Sequence, residues 1–325
     1  MRKRSSVGAL RRVNKAVRGR TALQSAPRKT IRLTSDIYIS TAAFGRASLA
    51  AIFEQCDASG IVHLELSSGA RLEADWRKAV RAARKRGMRL LVHNYFPPPA
   101  DPFVLNLAAT DPAIRDRSLA FCRASIDLAA EVGAPFYSVH SGFALNLTPE
   151  MLGHPEVQAA AADRIAIPRE EARTTFLTSV RALVEYARRA GVRLLVENNV
   201  LSSRYRERQP GNPLLLCDAD EVLWLMREVA DATLGLLFDT GHAKVSAVTL
   251  GFEARDFLDA VAPHIGAWHV SENDGLTDQN APCREDSWFL PALREYRDAP
   301  VVLEVGRLKP AEILEQAALL LRALA

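Results

Sequence analysis

From residue 36 onward the chain alternates short apolar runs with longer stretches in which apolar residues recur every three to four positions. The runs read as strands: DIYIST (36–41), IVHLEL (61–66), RLLVHN (89–94), PFYSVH (135–140), VRLLVEN (192–198), LGLLFD (234–239), IGAWHV (265–270) and VVLEVG (301–306). Several are apolar at successive positions, as parallel strands covered on both faces must be. The stretches between them, among them SLAAIFEQC, ADWRKAVRAARKRG, RSLAFCRASIDLAAEVG, EEARTTFLTSVRALVEYARRAG and PAEILEQAALLLRALA, have the helical period. Three of them close on Gly87, Gly133 and Gly191, where a left-handed helix cap suits glycine. Eight strand–helix units with no second sheet pattern predict an α/β fold, a closed (βα)8 TIM barrel forming one domain over residues 34–325. An open doubly wound sheet would carry a glycine-rich phosphate loop after its first strand, and neither GxGxxG nor GxxxxGK[ST] occurs.

One segment breaks the spacing. Residues 141–168 separate the fourth strand from its helix, and a loop of that length on this side of a barrel overlies the mouth. A lid or oligomer contact is the functional reading, an irregular surface insertion the bland one. His154 within it has no periodic partner and reads as a surface histidine.

Composition changes this picture mainly at the N-terminus. The 325 residues, 48% hydrophobic and 25% charged, are those of an ordinary globular protein. The formal charge of +4 is uneven: residues 1–32 hold eleven Lys and Arg and no acid, so the remaining 31 bases face 38 acids and the barrel is net acidic. The start is expected to be a basic, disordered tail over residues 1–33, as it has no aromatic residues on which nucleic-acid bases would stack. An organelle transit peptide shares its Arg- and Ser-containing, acid-free character. No apolar segment of a secretory signal follows it, and no apolar run of roughly 18 residues exists to span a membrane. Cys56, Cys122, Cys217 and Cys283 are scattered without CxxC spacing and read as free thiols of a reducing, cytoplasmic compartment.

The chemistry collects where the apolar runs end. Glu65, His93 with Asn94, His140, Glu197 with Asn198, Asp239, His269 and Glu304 stand at the carboxyl ends of seven strands, and in a (βα)8 barrel those ends share the catalytic face. One such residue would pass for a helix cap or a surface charge. Acids repeatedly set beside strongly apolar runs would be buried, at a cost that a central cation removes. Glu197, Asp239, His269 and Glu304, from the fifth to eighth strands, form the expected ligand set. Three carboxylates and one imidazole suit a single divalent ion, Mn²⁺ or Mg²⁺ first, with Co²⁺ and Zn²⁺ also compatible.

The strings VENN, FDTGHA, WHVSENDGLTD and LEVG, in this order on those four strands, resemble the xylose-isomerase-like superfamily of ketose 3-epimerases, hydroxypyruvate isomerase, inosose dehydratase and endonuclease IV. The resemblance covers roughly residues 35–322. It implies that Glu197, Asp239, His269 and Glu304 are metal ligands. It also implies that His242 contacts substrate or a second metal, and that His93 and His140 line the same mouth.

The reaction then expected is that of a metal-dependent sugar or sugar-phosphate isomerase or epimerase working on a sugar or polyol carbonyl. One of Glu197 and Glu304 removes the proton beside the carbonyl and the other returns one, through an enediolate. Lys244 and Arg46 are candidates to hold a substrate phosphate or carboxylate, although each taken singly reads better as a solvated surface charge. Phe44, Phe96, Trp268 and Trp288 are candidates for apolar walls, or for core. An endonuclease IV-like abasic-site nuclease would use His93, His140, His242 and Asp278. Here the motif reads Asp278-Gln279-Asn280, without the final histidine of that family's DxH, and the acidic barrel argues against nucleic acid. A dehydratase acting on an inosose or dehydroshikimate begins with the same proton abstraction. A non-enzymatic sugar-binding barrel would be expected to have lost a ligand or a proton-transfer carboxylate. A homo-oligomer stays open.

Overall fold

The computed structural model describes residues 37–325 apart from 153 and 208–211. The basic segment and its boundary at residue 33 lie outside the described residues. Eight parallel strands close in chain order: β1 Ile37–Ser40, β2 His63–Leu66, β3 Arg89–His93, β4 Phe136–His140, β5 Arg193–Glu197, β6 Leu234–Asp239, β7 Ile265–Val270 and β8 Val301–Leu303. The ring is sealed by β1 against β8, with Ile37, Tyr38 and Ile39 opposite Val301, Val302 and Leu303. The predicted barrel is thus the observed one. Strand β8 ends three residues before the expected Gly306, because the Gly306 N–H turns to the Asn280 carbonyl at 2.7 Å instead of continuing the ladder. Glu304 therefore stands just past the strand, at the mouth.

The helices take their ends from local chemistry. Arg169–Ala190 buries Ala172, Phe176, Val180, Leu183, Val184 and Ala187 on one stripe, and each large apolar side chain so buried contributes about 1.5–3 kcal/mol. It stops at Gly191, left-handed at φ 71°, whose N–H reaches the Ala187 carbonyl. Gly133 ends Pro112–Val132 in the same way, and that helix starts on the Asp111 side chain with Pro112 at its first position. Cys56, Cys122, Cys217 and Cys283 are all buried and free. No helix among the described residues is long and apolar enough to cross a membrane.

The long segment after β4 has a core of its own. Leu145, Leu147, Ala161 and Ile165 bury against Val104, with Phe143, Met151 and Tyr205 packed around them. Asn106 holds its first stretch, donating to the carbonyls of Phe143 and Leu145 and accepting from the Phe143 N–H. A Cβ on Gly142 would lie 2.6 Å from Ala108 Cβ and 2.9 Å from its backbone nitrogen, so only glycine admits this approach. These contacts join it to the loops after β3 and β5 as part of the barrel's rim. His154 is exposed on it, as expected.

Candidate functional site

The strand register delivers the polar strand ends side by side: His140 lies opposite Glu197 on β4 and β5, and Asp239 opposite His269 on β6 and β7. Asp239 also caps the helix Thr240–Leu250. Its Oδ1 accepts the His242 N–H at 2.7 Å, which leaves Oδ2 facing inward without a partner. Asn198 then acts as a clamp between two strand ends. Its side chain accepts from the Asp239 N–H at 2.8 Å and donates to the Asp239 carbonyl at 3.0 Å, while its own carbonyl lies 2.8 Å from His242 Nδ1. That contact turns His242 Nε2 towards Asp278 Oδ2, 3.3 Å away. On β3, His93 Nδ1 lies 3.0 Å from Ser138 Oγ, and the opposite nitrogen faces Glu197 at 3.5 Å.

Glu197, Asp239, His269 and Glu304 each direct one ligand atom into a common space, with all four atoms within 4.8 Å of one another. His269 Nδ1 is 2.8 Å from Glu304 Oε2, 3.6 Å from Glu197 Oε1 and 3.9 Å from Asp239 Oδ2. Glu197 and Asp239 are each 1% exposed, yet both Glu197 oxygens and Asp239 Oδ2 lack an aligned hydrogen-bond donor, although His140 Nε2 lies 3.1 Å from Glu197 Oε2. Buried carboxylate oxygens left in this state are costly. Hard oxygen donors with one imidazole are what a divalent cation of this class requires. The residues therefore fit a divalent metal ion. His93, His140 and Glu197 form a second candidate group, and Glu65, His93 and His269 a third.

Charges in the cluster are strongly redistributed. Burial alone raises the Glu197 carboxyl, but His140, His93 and His269 overcome it and hold the group well below its ordinary range. Glu304 is brought to about 2 in the same way, His269 outweighing burial. Asp239 moves oppositely: burial, reinforced by Glu197, Glu304 and Asp278 against His242, pushes its carboxyl well up. Burial lowers His242 and His269, but the surrounding acids outweigh it and hold both well above the ordinary histidine value. Asp239, His242 and His269 thus hold their protons more tightly than usual, and Glu197 and Glu304 less tightly.

All the expected ligand and mouth-lining residues meet at this end: Glu197, Asp239, His269, Glu304, His93, His140 and His242. Lys244 is differently engaged. Its ammonium is 2.7 Å from Glu272 Oε2 and 2.7 Å from the Asn273 carbonyl, neutralising a buried acid and tying down the loop after β7. Arg46 is exposed on the loop after β1. Phe44, Phe96 and Trp268 belong to the main core, and Trp288 packs against it. Phe96 meets Trp76 edge-on, and Trp268 lies between Phe238 and Tyr296, so the core reading of these rings holds. The roles of Glu65, Ser138 and the Asn198 side chain were not evident beforehand. Glu65 and Asn198 were visible only as polar residues at strand ends.

Residues 51–324 match the family model described as xylose isomerase-like TIM barrel. No curated protein sequence matches the chain. Among solved structures it is similar to a D-tagatose 3-epimerase-like protein, at 18% identity over 89% of this chain and 96% of that one, TM-score 0.63. It is similar also to the TTHB071 protein from Thermus thermophilus, in a crystal soaked with ZnCl2, at 22% identity over 87% and 97%, TM-score 0.57. A third is D-psicose 3-epimerase with D-tagatose from Clostridium cellulolyticum H10, at 16% identity over 89% and 97%, TM-score 0.60. At these identities the likeness establishes a shared fold.

Proposed function

The chain belongs to the xylose isomerase-like TIM-barrel family, and from that premise we propose that it is a divalent-metal-dependent isomerase or epimerase of a sugar or related polyol carbonyl. The observation that carries the reading is the convergence of Glu197 and Glu304 on the same four-ligand cluster as Asp239 and His269. The zinc soak of one structural neighbour and the ketose bound to another accord with it.

The ion, Mn²⁺ or Mg²⁺ first, would be held by Glu197, Asp239, His269 and Glu304, and when bound it supplies the positive charge that polarises a carbonyl and acidifies the adjacent C–H. Glu197 and Glu304 are both ionised at neutral pH in the metal-free protein, which is the state a general base requires. They arrive from β5 and from just beyond β8, so a substrate carbon between them is approached from two sides. One carboxylate accepts the proton and the other supplies one, through an enediolate. Return to the opposite face gives an epimer, and return to the neighbouring carbon an isomer. His93, His140 and His242 line the approach and contact the substrate's hydroxyl groups. Lys244 acts through Glu272 and Asn273 by placing the loop after β7.

The test is turnover of ketohexoses by the Mn²⁺-loaded protein in deuterium oxide, followed by NMR. Product carrying deuterium at the epimerised or isomerised carbon supports the reading. Turnover without solvent deuterium would replace proton transfer with a hydride shift.

One observation favours a second reading. The group of His93, His140 and Glu197 adjoins the four-ligand cluster, and His242 stands against Asp278, as a multi-metal phosphodiesterase would need. Cleavage of abasic duplex DNA without ketose turnover would establish it in place of the first.

A further inference from the structure

His269 is held at both ring nitrogens. Nδ1 faces Glu304 at 2.8 Å and points into the four-ligand cluster; Nε2 lies 2.9 Å from Glu65 Oε2. Both His269 and Glu65 are wholly buried. Glu65 is the next-to-last residue of β2 and contacts His269 on β7 across 204 positions of sequence. No Lys or Arg is paired with Glu65 among the described residues, and its other oxygen has no hydrogen-bond partner. A buried carboxylate with a single contact is expensive to keep, and β2 supplies none of the four expected ligands. We infer that Glu65 is the positioning residue of the metal centre: it accepts the Nε2–H of His269, fixes the tautomer whose free electron pair is on Nδ1, and sets the ring plane so that this pair meets the ion.

The inference rests on reading the four-ligand cluster as a divalent-ion site. An imidazole can offer either nitrogen, and the hydrogen bond made by one decides which is left for the metal. His269 has neighbours that would otherwise compete for the choice. Its ring centroid is 4.7 Å from that of His93, and three carboxylates surround Nδ1. Without an acceptor behind the ring, the proton would settle on Nδ1 between those acids and would block the ligand position.

The experiment measures Mn²⁺ affinity by electron paramagnetic resonance of the free ion, for the full chain and for E65A and E65Q, with circular dichroism as the check of folding. Glutamine retains an oxygen that accepts the Nε2–H but carries no charge. The expected result is an affinity about 10- to 100-fold weaker in E65A and restored to within a few-fold in E65Q. Equal affinity in E65A and wild type overturns the assignment. Equal loss in both variants overturns it too, because Glu65 would then act by charge and not by orientation. Should E65A keep the tight Mn²⁺ site but lose a second ion, Glu65 would be a ligand, which also contradicts the assignment. A wild type that binds no Mn²⁺ removes the metal reading itself, an outcome distinct from all of these. Independently of any variant, ¹⁵N-histidine spectra of the Zn²⁺-loaded wild type must show His269 protonated at Nε2 and metal-bound at Nδ1; the reverse tautomer overturns the proposal.

Discussion

Glu304 sits 2.8 Å from His269 Nδ1 and is held at about 2 in the metal-free protein, so its carboxylate is ionised at any pH near neutrality. A ligand and a proton carrier are combined in one group, and the Glu304→Gln substitution separates them, because an amide oxygen still coordinates weakly but takes no proton. Glu304→Gln is expected to lower the rate of C–H exchange with solvent by about 10²–10⁴-fold while Mn²⁺ remains bound at saturating concentration. Exchange at the wild-type rate in the metal-loaded variant would transfer the base role elsewhere. The cysteines give a second check at this scale. Burial pushes Cys56, Cys122 and Cys283 up to about 12, and Cys217 also upward, so the thiolate that reacts is absent. None of the four is expected to react with a thiol-specific chromogenic reagent until the protein is denatured.

Elements place these residues, and here sequence and structure can be compared. RLLVE, LGLLFD and IGAWHV end on Glu197, on Asp239 and near their close at His269 because a strand buried on both faces is apolar until it reaches the open mouth. That transition is local and was legible. What was not legible depends on contacts between distant strands. The pairing of Glu65 with His269 and of Lys244 with Glu272 leaves no periodic trace, and the core rings of Phe96 and Trp268 have the same spacing that wall residues would have. The segment after β4 announced itself only by length; its packing depends on Gly142. Gly142→Ala would force a methyl to within 2.6 Å of Ala108 Cβ. It is expected to cost about 1–3 kcal/mol, seen as a lower urea midpoint than wild type, and an unchanged midpoint would mean that the rim yields freely.

At the scale of the whole molecule the site and the fold are linked through protons. In the metal-free protein His242 and His269 have raised pKa values, so their stabilising contribution is complete below the unfolded value of 6.5 and is lost as pH rises through the folded values. Glu304, lowered to about 2, contributes fully above its ordinary value of 4.5, and that contribution is lost as pH falls towards 2. The contributions of His242, His269 and Glu304 overlap fully only between 4.5 and 6.5, and Asp239, whose raised carboxyl loses its contribution as pH rises above 3.8, draws the optimum of the EDTA-treated protein towards the acid side. A bound ion replaces the protons, so the rise in melting temperature on adding Mn²⁺ is expected to be larger at about pH 8 than at about pH 6. A rise independent of pH would detach the ion from these histidines. The central claim, that Glu197, Asp239, His269 and Glu304 hold one divalent ion, is tested most directly by elemental analysis of the purified protein beside Asp239→Ala. The account predicts one ion per chain in the wild type and its loss in the variant; the same metal content in both would contradict it.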